Sequence, residues 1–326
     1  MIEDVRAMSE ALTNKRPIIS VIISPKRDGD RDALQRALSE LAQQDPTIRI
    51  EPESLAGQTT ISAMSELHLE IICDRIVREH KVQIDAGSPK VIYLETIRKK
   101  SEAEGKYVRA VSRHSIYGHV KLKLEPRDAG SGYQFVNESP EGAIPTEFLE
   151  PINLGIQGGM KGGVLAGYEM VDVRAILYDG SHHMGDSSEM AFRIAASMAF
   201  KEAARKANPV VLEPIMSIEV VTPEDFVGII LGDLSRRRGR IEGMEHRSGS
   251  LVVRAHVPLA EMITYAIHMR SMAQGRASYS MQFVGYEEAP HTGESGNDEA
   301  GAVASRPKGP KSGSGHAAAK LDSDSE

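Results

Sequence analysis

The chain has little of several residue types, and each shortage excludes a class of protein. Of its 326 residues only Cys73 is a cysteine, and none is a tryptophan. A single thiol excludes a disulfide framework and a zinc site built on cysteines, and it is typical of a reducing compartment. No apolar run approaches the ~20 residues that span a bilayer, and the opening MIEDVRAMSE holds no apolar signal core. We therefore expect a soluble, cytoplasmic protein without a membrane partner.

An excess of positive charge is also lacking. The formal net charge is −7, so the chain as a whole is not a basic nucleic-acid binder, and any RNA contact must come from local clusters. What is present is a composition of 40% apolar and 26% charged residues, which suffices for two or three domains with real cores.

Motifs for covalent or nucleotide chemistry are missing. The sequence contains no GxSxG elbow and no phosphate-cradling GxxxxGK[ST], and the glycine-rich run at residues 158–163 lacks the required order. The segment at residues 14–17 lacks the aspartate of a guanine-reading motif, and Cys73 falls on the apolar face of a helical pattern. We therefore predict no catalytic residues, no metal, no cofactor held by this chain, and no enzyme activity of its own.

Apolar periodicity predicts two modules of one architecture. Residues 16–91 alternate between strand and helix patterns in the order β-α-β-β-α-β, with Ser65 capping the second helix, and residues 214–289 repeat that order. In the second copy we expect Thr222 to cap the first helix. The pattern predicts an α+β protein with two ferredoxin-like domains.

The remaining segments are assigned by pattern and composition. Residues 1–15 are a polar lead-in, and residues 92–213 form a middle domain with three strands, a glycine-punctuated stretch, a further strand and a long helix. We expect Asp186 to cap that last helix and Glu189 to complete a capping box. Residues 290–326 are rich in Gly, Ser, Ala and Pro, which predicts a disordered tail.

The loop at residues 178–189 carries His182 and His183 between a predicted strand and the capped helix. Such a loop, held at both ends, is suited to probing a partner. Three interpretations are open: RNA recognition by hydrogen bonding and stacking, a plain polar connector, or a metal site that also uses His114 and His119. The metal site is disfavoured because adjacent histidines on a turn point apart.

Two further stretches could contact RNA. Residues 112–119 join two predicted strands and include Arg113, His114 and Tyr117, which suit RNA contacts but also an ordinary hairpin. Residues 233–240 place four arginines in five positions at a predicted helix end, which suits phosphate binding but also a solvated terminus with a few ion pairs.

Seven segments together resemble bacterial elongation factor G, in that family's order and spacing. They are MSELHLE at 64–70, YGHV at 117–120, LAGY at 165–168, DSSEMAF at 186–192, LEPIM at 212–216, GDLSRRRG at 232–239 and GRASY at 275–279. The resemblance covers about residues 16–288. It implies domain III at 16–91, domain IV with a ribosomal-protein-S5-like α+β fold at 92–213, and domain V at 214–289, without the family's GTPase and β-barrel domains.

The resemblance also implies roles and partners. Domain IV would reach the tRNA–mRNA duplex in the decoding centre through two tip loops, and domain V would face large-subunit rRNA. The implied tip residues are Arg113, His114, Ser115, Ile116, Tyr117, His182 and His183. The implied large-subunit contacts are Ser235, Arg236, Arg237, Arg238 and Arg240. GTP and Mg²⁺ would bind the missing GTPase domain, which a separately encoded half could supply.

The sequence departs from the family at two places. The companion tip loop usually reads Gly-Gly-Arg-Gly-Gln-Tyr-Gly-His, whereas this chain has Ser115 and Ile116 in place of a flexible glycine and the glutamine. Gly158 and Gly159 stand where helix formers are usual, so we expect a broken helix there. Besides a translocation role, the open alternatives are a GTPase-less RNA-binding or ribosome-associated regulator, a truncated non-functional product, and a metal-dependent hydrolase.

Overall fold

Three β-sheets, each backed by two α-helices, make up the part of the chain that the structure describes. The computed structural model describes residues 16–52, 57–111, 114–183, 187–247 and 249–290, without the side chains of residues 110, 111, 114 and 115. The lead-in at 1–15 and the tail from residue 291 lie outside the described residues. The part up to Ala289 forms one compact unit. In the described ranges, no helix has the length and apolarity needed to cross a membrane.

The first module is an antiparallel sheet in the order β2-β3-β1-β4, with a short β5 also paired to β1. Its elements are β1 Ile19–Pro25, a 3₁₀ turn Asp28–Asp30, α1 Arg31–Gln44, β2 Arg49–Pro52, β3 Thr59–Ala63, α2 Glu66–Arg78, β4 Ile84–Ala86 and β5 Lys90–Val91. Leu34, Leu38 and Leu41 bury one face of α1 against the sheet. As predicted, the Ser65 hydroxyl caps α2 by accepting from the His68 backbone N–H at 3.2 Å.

The middle module follows the connecting strand β6, Leu94–Ile97. Its sheet runs β7-β8-β10-β9, with β9 parallel to β10 and the other pairs antiparallel. The elements are β7 Ser101–Val111, β8 His114–Pro126, β9 Gln134–Asn137, a 3₁₀ turn Thr146–Phe148, α3 Leu149–Lys161, β10 Val173–Ser181 and α4 Glu189–Lys206. The predicted strands are present, and β7 and β8 extend beyond the residues that the apolar pattern indicated, whereas β9 has the expected length.

Helix α4 packs unusually close to its neighbours because small residues line the contacts. Its buried face is largely alanine, and Gly118 of β8 lies so near that an added Cβ would stand 2.5 Å from the Ala191 carbonyl carbon. The cap of α4 corrects the sequence prediction. The Ser188 hydroxyl accepts from the Ala191 N–H at 3.3 Å, whereas Asp186 lies outside the described residues.

The expected break at the glycine pair is wrong, because α3 runs without interruption through Gly158 and Gly159. The two glycines differ in their surroundings. A Cβ on Gly159 would stand 2.8 Å from the Phe200 ring, and one on Gly155 would stand 2.3 Å from the Arg193 carbonyl oxygen. Glycine therefore lets α3 approach α4, and the packing outweighs its low helix propensity.

We expect Gly158→Ala to stabilise the protein, since a Cβ there meets nothing within 4 Å and alanine is the better helix former. The gain should be about 0.5–1 kcal/mol in the free energy of unfolding, measured by urea denaturation. Gly159→Ala is the matched control, and it should be destabilising because of the Phe200 ring. Equal effects of the two substitutions would contradict this account of the helix contact.

The third module repeats the first, with strand order β12-β13-β11-β14 and β6 added to β11. Its elements are β11 Pro209–Thr222, α5 Glu224–Arg236, β12 Arg240–Arg247, β13 Ser250–Pro258, a 3₁₀ turn Leu259–Glu261, α6 Tyr265–Met272 and β14 Ser278–Glu288. The predicted α+β class with two ferredoxin-like modules is confirmed. Thr222 does not cap α5: it is fully buried at the end of β11, and Pro223 takes the N-cap position.

Thr264, just before α6, has a left-handed backbone with φ +66°. A β-branched residue is costly in this region, whereas glycine adopts it freely. We expect Thr264→Gly to raise the free energy of unfolding by about 1 kcal/mol, measured by urea denaturation. Thr264→Ala keeps a Cβ and should give a clearly smaller gain, so a larger gain from alanine would contradict the backbone explanation.

The first and third modules share apolar contacts. Met216 of β11 and Leu259 are buried in the core of the first module, and Phe283 and Tyr286 of β14 pack against it. The Tyr286 hydroxyl donates to the Ile92 carbonyl at 3.1 Å, in the segment between β5 and β6. The first module is therefore anchored on the third as well as covalently linked to the middle one.

Candidate nucleic-acid interface

Two loops of the middle module lie side by side at one end of its sheet. The hairpin formed by β7 and β8 ends in the pairing of Val111 with His114, and Ser187, just before α4, lies beside β8. A backbone bridge joins Tyr117 to Ser187, and the rings of Tyr117 and His183 lie 4.0 Å apart, edge to face. We call the group Ile116, Tyr117, Ser181, His182, His183 and Ser187 the tip surface.

Tyr117 is the most buried residue of the tip surface, and contacts with two strands hold its ring in place. It is only 9% exposed, its hydroxyl lies 2.7 Å from the Ser181 hydroxyl, and Ser181 is also 2.8 Å from His119 Nδ1. The Lys106 ammonium lies 5.8 Å from the centre of the Tyr117 ring, within cation–π range. Since Ser181 ends β10 and Tyr117 belongs to β8, their hydrogen bond ties the two strands together beneath the loop.

The two adjacent histidines face different environments. His183 is exposed, its N–H donates to the Ser187 hydroxyl at 3.0 Å, and its carbonyl accepts from the Ser187 N–H at 3.1 Å. His182 is half-buried, with Nδ1 lying 3.1 Å from the Ala143 carbonyl oxygen. His183 is therefore the histidine presented to a partner, and His182 anchors the loop.

The other residues of the tip prediction are placed only in part. Ile116 is half-buried within β8. The backbones of His114 and Ser115 begin that strand, but their side chains lie outside the described residues, as do Arg113 and residues 184–186. Residues 180–183 are half-buried or exposed, so they are not enclosed within the protein.

The arginine run at the end of α5 has mostly internal partners. Arg237 is 8% exposed, donates from Nε to Asp233 at 2.8 Å, and donates further to the Glu261 carbonyl and to His268 Nδ1. Its guanidinium group also lies over the Tyr265 ring, 5.0 Å from the centre. Arg237 therefore fastens α5 to α6.

Arg238 is likewise engaged inside the third module. It occupies a left-handed backbone position with φ +60°, and its two terminal nitrogens donate to the buried Glu213 carboxylate at 2.8 Å each. Ser235, Arg236 and Arg240 are exposed, although Arg236 also pairs with Asp233 and Arg240 with Glu287. The most exposed guanidinium groups of this run are thus those of Arg236 and Arg240.

Two ionisable groups beneath the run have shifted pKa values. Burial alone would raise the pKa of the Asp233 carboxyl, but hydrogen bonds from Arg237 and Arg236 outweigh it and hold this pKa below its ordinary value. The stabilisation it gives is therefore present at neutral pH and is lost as the pH falls through the folded-state pKa. Burial and the nearby Asp233 charge raise the pKa of Tyr265 to about 12, so its phenol stays neutral.

Sequence reasoning did not assign roles to Ser181, Ser187, Lys106 or Glu213. Each contacts its partner across strands or modules, so its spacing along the chain carries no signal. For metal binding, the described part of the chain contains no group of three or more His, Cys, Asp or Glu side chains placed to hold an ion. Nothing in that part favours the metal-hydrolase interpretation.

Three family models match consecutive parts of the chain. They are elongation factor G domain III at residues 15–88, elongation factor G domain IV at 89–208, and the elongation factor G C-terminus at 210–294. The chain belongs to the elongation factor G family. None of the three matched models is a GTPase domain.

A solved structure agrees with this membership of the elongation factor G family. The crystal structure of ttk003000868 from Thermus thermophilus is 40% identical in sequence and superposes with a TM-score of 0.64. The match covers 85% of this chain but 41% of that one, so this chain spans less than half of that protein's length. The tip surface lies in the part matched by domain IV, and the arginine run lies in the part matched by the C-terminus.

Proposed function

We propose that this chain binds the ribosome and that its tip surface contacts RNA in the decoding centre. The observation that carries the proposal is the pairing of an exposed histidine ring with a fixed tyrosine: His183 rests on Tyr117, which two strands hold in place. Aromatic and histidine rings recognise unpaired bases and RNA backbones by stacking and hydrogen bonding. The partners would be tRNA and mRNA on the small subunit, in the cytoplasm.

A second contact would be made by the C-terminal module with large-subunit rRNA. Of the arginine run, we propose Arg236 and Arg240, together with Ser235, as the groups that meet phosphates, since these three are exposed. Arg237 and Arg238 would instead hold the surface in shape through Asp233 and Glu213. Guanidinium groups suit phosphate oxygens because of their paired donors.

We further propose that the residues that the structure describes do not themselves bind or hydrolyse GTP. The support is that the sequence contains no GxxxxGK[ST] motif. The purified chain should therefore show no GTP turnover when ribosomes are added. Turnover that follows this chain through purification would reject the proposal.

We expect His183→Ala to weaken co-sedimentation with 70S ribosomes several-fold while leaving stability within about ±0.5 kcal/mol, because the ring is exposed. The matched control is His246→Ala, an exposed histidine on β12 that pairs with Glu224. Co-sedimentation and thermal melts of both variants measure the effect.

Unchanged pelleting of His183→Ala would contradict a role for the tip surface. If the wild-type chain binds free RNA but never pellets with ribosomes, it acts as an RNA-binding regulator away from the ribosome, and the main proposal fails.

A further inference from the structure

We propose a second RNA-binding surface in the middle module, formed by the exposed face of α4 and accepting a sugar–phosphate backbone. We call it the α4 face and define it by Arg193, Lys201 and Arg205 together with Met190 and Ile194. The inference deepens the proposed function and rests on it in one respect: RNA held at the tip surface would continue along this helix.

The charge of the α4 face is uncompensated. Arg193, Lys201 and Arg205 make no ion pair or hydrogen bond through their side chains with any other residue that the structure describes. Elsewhere on the same helix Lys206 is paired with Glu202 at 2.6 Å. In a chain of net charge −7, these unpaired cations form a local positive region that attracts anions.

The spacing of these cations places them on one side of the helix. They follow each other at steps of eight and four residues, which turn by about 80° and about 40°, so the three lie within about a third of the helix circumference. At a rise of about 1.5 Å per residue, Arg193 and Arg205 are about 18 Å apart along the axis. That length suits several consecutive phosphates rather than one bound ion.

Beside Arg193, the first of the three cations, lies an apolar groove of about 550 Å³ between α3 and α4. Its walls include Leu154, Met190 and Ile194, with Met190 69% exposed, and Gly158 leaves its floor open. The acidic side chain in the groove is Glu189, at the first position of the helix. Riboses and base faces can pack on such apolar walls while the phosphates meet the cations.

Continuity with the tip surface favours RNA over an acidic protein as the partner. Helix α4 begins at Glu189, two residues after Ser187, which bonds the His183 backbone. Arg193, the first cation of the row, lies about one turn into this helix, so an RNA strand that contacts His183 would reach the row there.

The test is the salt dependence of RNA binding by the full chain. The probe is a fluorescein-labelled oligo(rU) of about 20 nucleotides, with anisotropy titrations between about 50 and 300 mM KCl. The variant is Arg193→Gln/Lys201→Gln/Arg205→Gln, since glutamine keeps helix propensity without charge. Losing three phosphate contacts should make the slope of log K against log[KCl] shallower by about 2 and weaken binding at least ~10-fold at low salt.

The matched control removes the same charge from cations that already have partners. Arg98→Gln/Lys100→Gln/Arg254→Gln takes two arginines and one lysine out of surface ion pairs with Glu288, Glu125 and Glu219. For this control variant, the slope of log K against log[KCl] should equal the wild-type slope within experimental error. Equal slopes for the α4 variant and the control would overturn the inference, because a general charge effect would then explain the binding.

Two further outcomes separate this inference from the proposed function. If His183→Ala weakens ribosome pelleting while the α4 variant matches the control on RNA, the α4 face is wrong and the proposed function stands. The wild type could fail to pellet with ribosomes while the α4 variant, unlike the control, has a shallower slope of log K against log[KCl] for RNA. In that case the α4 face stands and the proposed function fails. If the α4 variant loses binding to poly-glutamate while its RNA binding is unchanged, the α4 face binds an acidic protein, and the inference is overturned.

Discussion

Replacing Glu95 with alanine should lower the free energy of unfolding by about 4 kcal/mol, one of the largest losses any single substitution in this protein would cause. Glu95 is 0% exposed, and its carboxylate accepts five backbone N–H groups from residues 164–168, at distances from 2.6 to 3.1 Å. Alanine removes the acceptor shared by five donors of a loop whose backbone is partly buried, and it leaves a cavity at a fully buried position. For a domain unit of this size the melting temperature should fall by roughly 10 °C.

Glu95→Gln separates the hydrogen bonds from the side-chain volume. The amide keeps the shape but turns one oxygen into a donor, so two or three of the five N–H groups face another donor. We expect a loss of about 3 kcal/mol. Glu141→Gln, at an exposed glutamate, is the control and should stay within about ±0.5 kcal/mol. A Glu95→Gln variant as stable as that control would show that the loop does not depend on the carboxylate.

The second large effect is expected at Arg238. Its guanidinium group makes two 2.8 Å hydrogen bonds to Glu213, whose side chain is buried, and a third to Glu261 at 3.2 Å. Removing one partner of a buried ion pair leaves the other charge uncompensated. Arg238 is itself 37% exposed, so water partly screens the pair, and we expect Arg238→Ala to cost about 2–3 kcal/mol in urea denaturation.

The backbone at Arg238 provides an internal control. Because its φ is +60°, alanine remains strained there and glycine does not. Arg238→Gly should therefore be about 1 kcal/mol more stable than Arg238→Ala, although both lack the ion pair. Arg238→Lys keeps the charge but not the paired donors, so it should recover only part of the loss. Full recovery by lysine would mean that net charge, and not the bidentate geometry, matters at this position.

The Glu95 contact lies at the junction of the middle and third modules, and the Arg238 contact lies inside the third module on the strand that forms this junction. Glu95 belongs to β6, which pairs with β11, and Glu213 belongs to β11 itself. Across the same junction Tyr93 stacks on Tyr168 with ring centres 5.4 Å apart. These interactions fix the base of the module whose far loops form the tip surface, so the orientation of that surface depends on them.

Local patterns predicted the elements of the fold well. A β-branched run marked β1, alternating apolar residues marked β11, and helical spacing marked α1 and α2. Ser65 was predicted as a cap, and its hydroxyl accepts from the His68 N–H. The errors arose where tertiary packing decides. The glycines of α3 looked like a break, but close contact with α4 favours them, and Thr222 looked like a cap until burial in β11 removed it from the helix.

The candidate site was predicted less completely than the fold. The sequence singled out His183 and Tyr117 separately, and the structure brings their rings together. It also pointed to the arginine run as one charged patch, whereas Arg237 and Arg238 turn to Asp233 and Glu213. The sequence does not distinguish an arginine that binds phosphate from one that stabilises a turn, because the difference lies in the residues that surround each side chain in the folded protein.

By itself, the sequence determined the three-module order, the α+β class and the family, because periodicity, capping and short motifs are properties of neighbouring residues. Only the tertiary structure decided which charges are free and which are neutralised, that Glu95 fills a cradle of five amides, and that two loops far apart in the sequence share one surface. The physical reason is that burial and pairing of polar groups depend on contacts between distant parts of the chain. Those contacts exist only after the sheets and helices have packed.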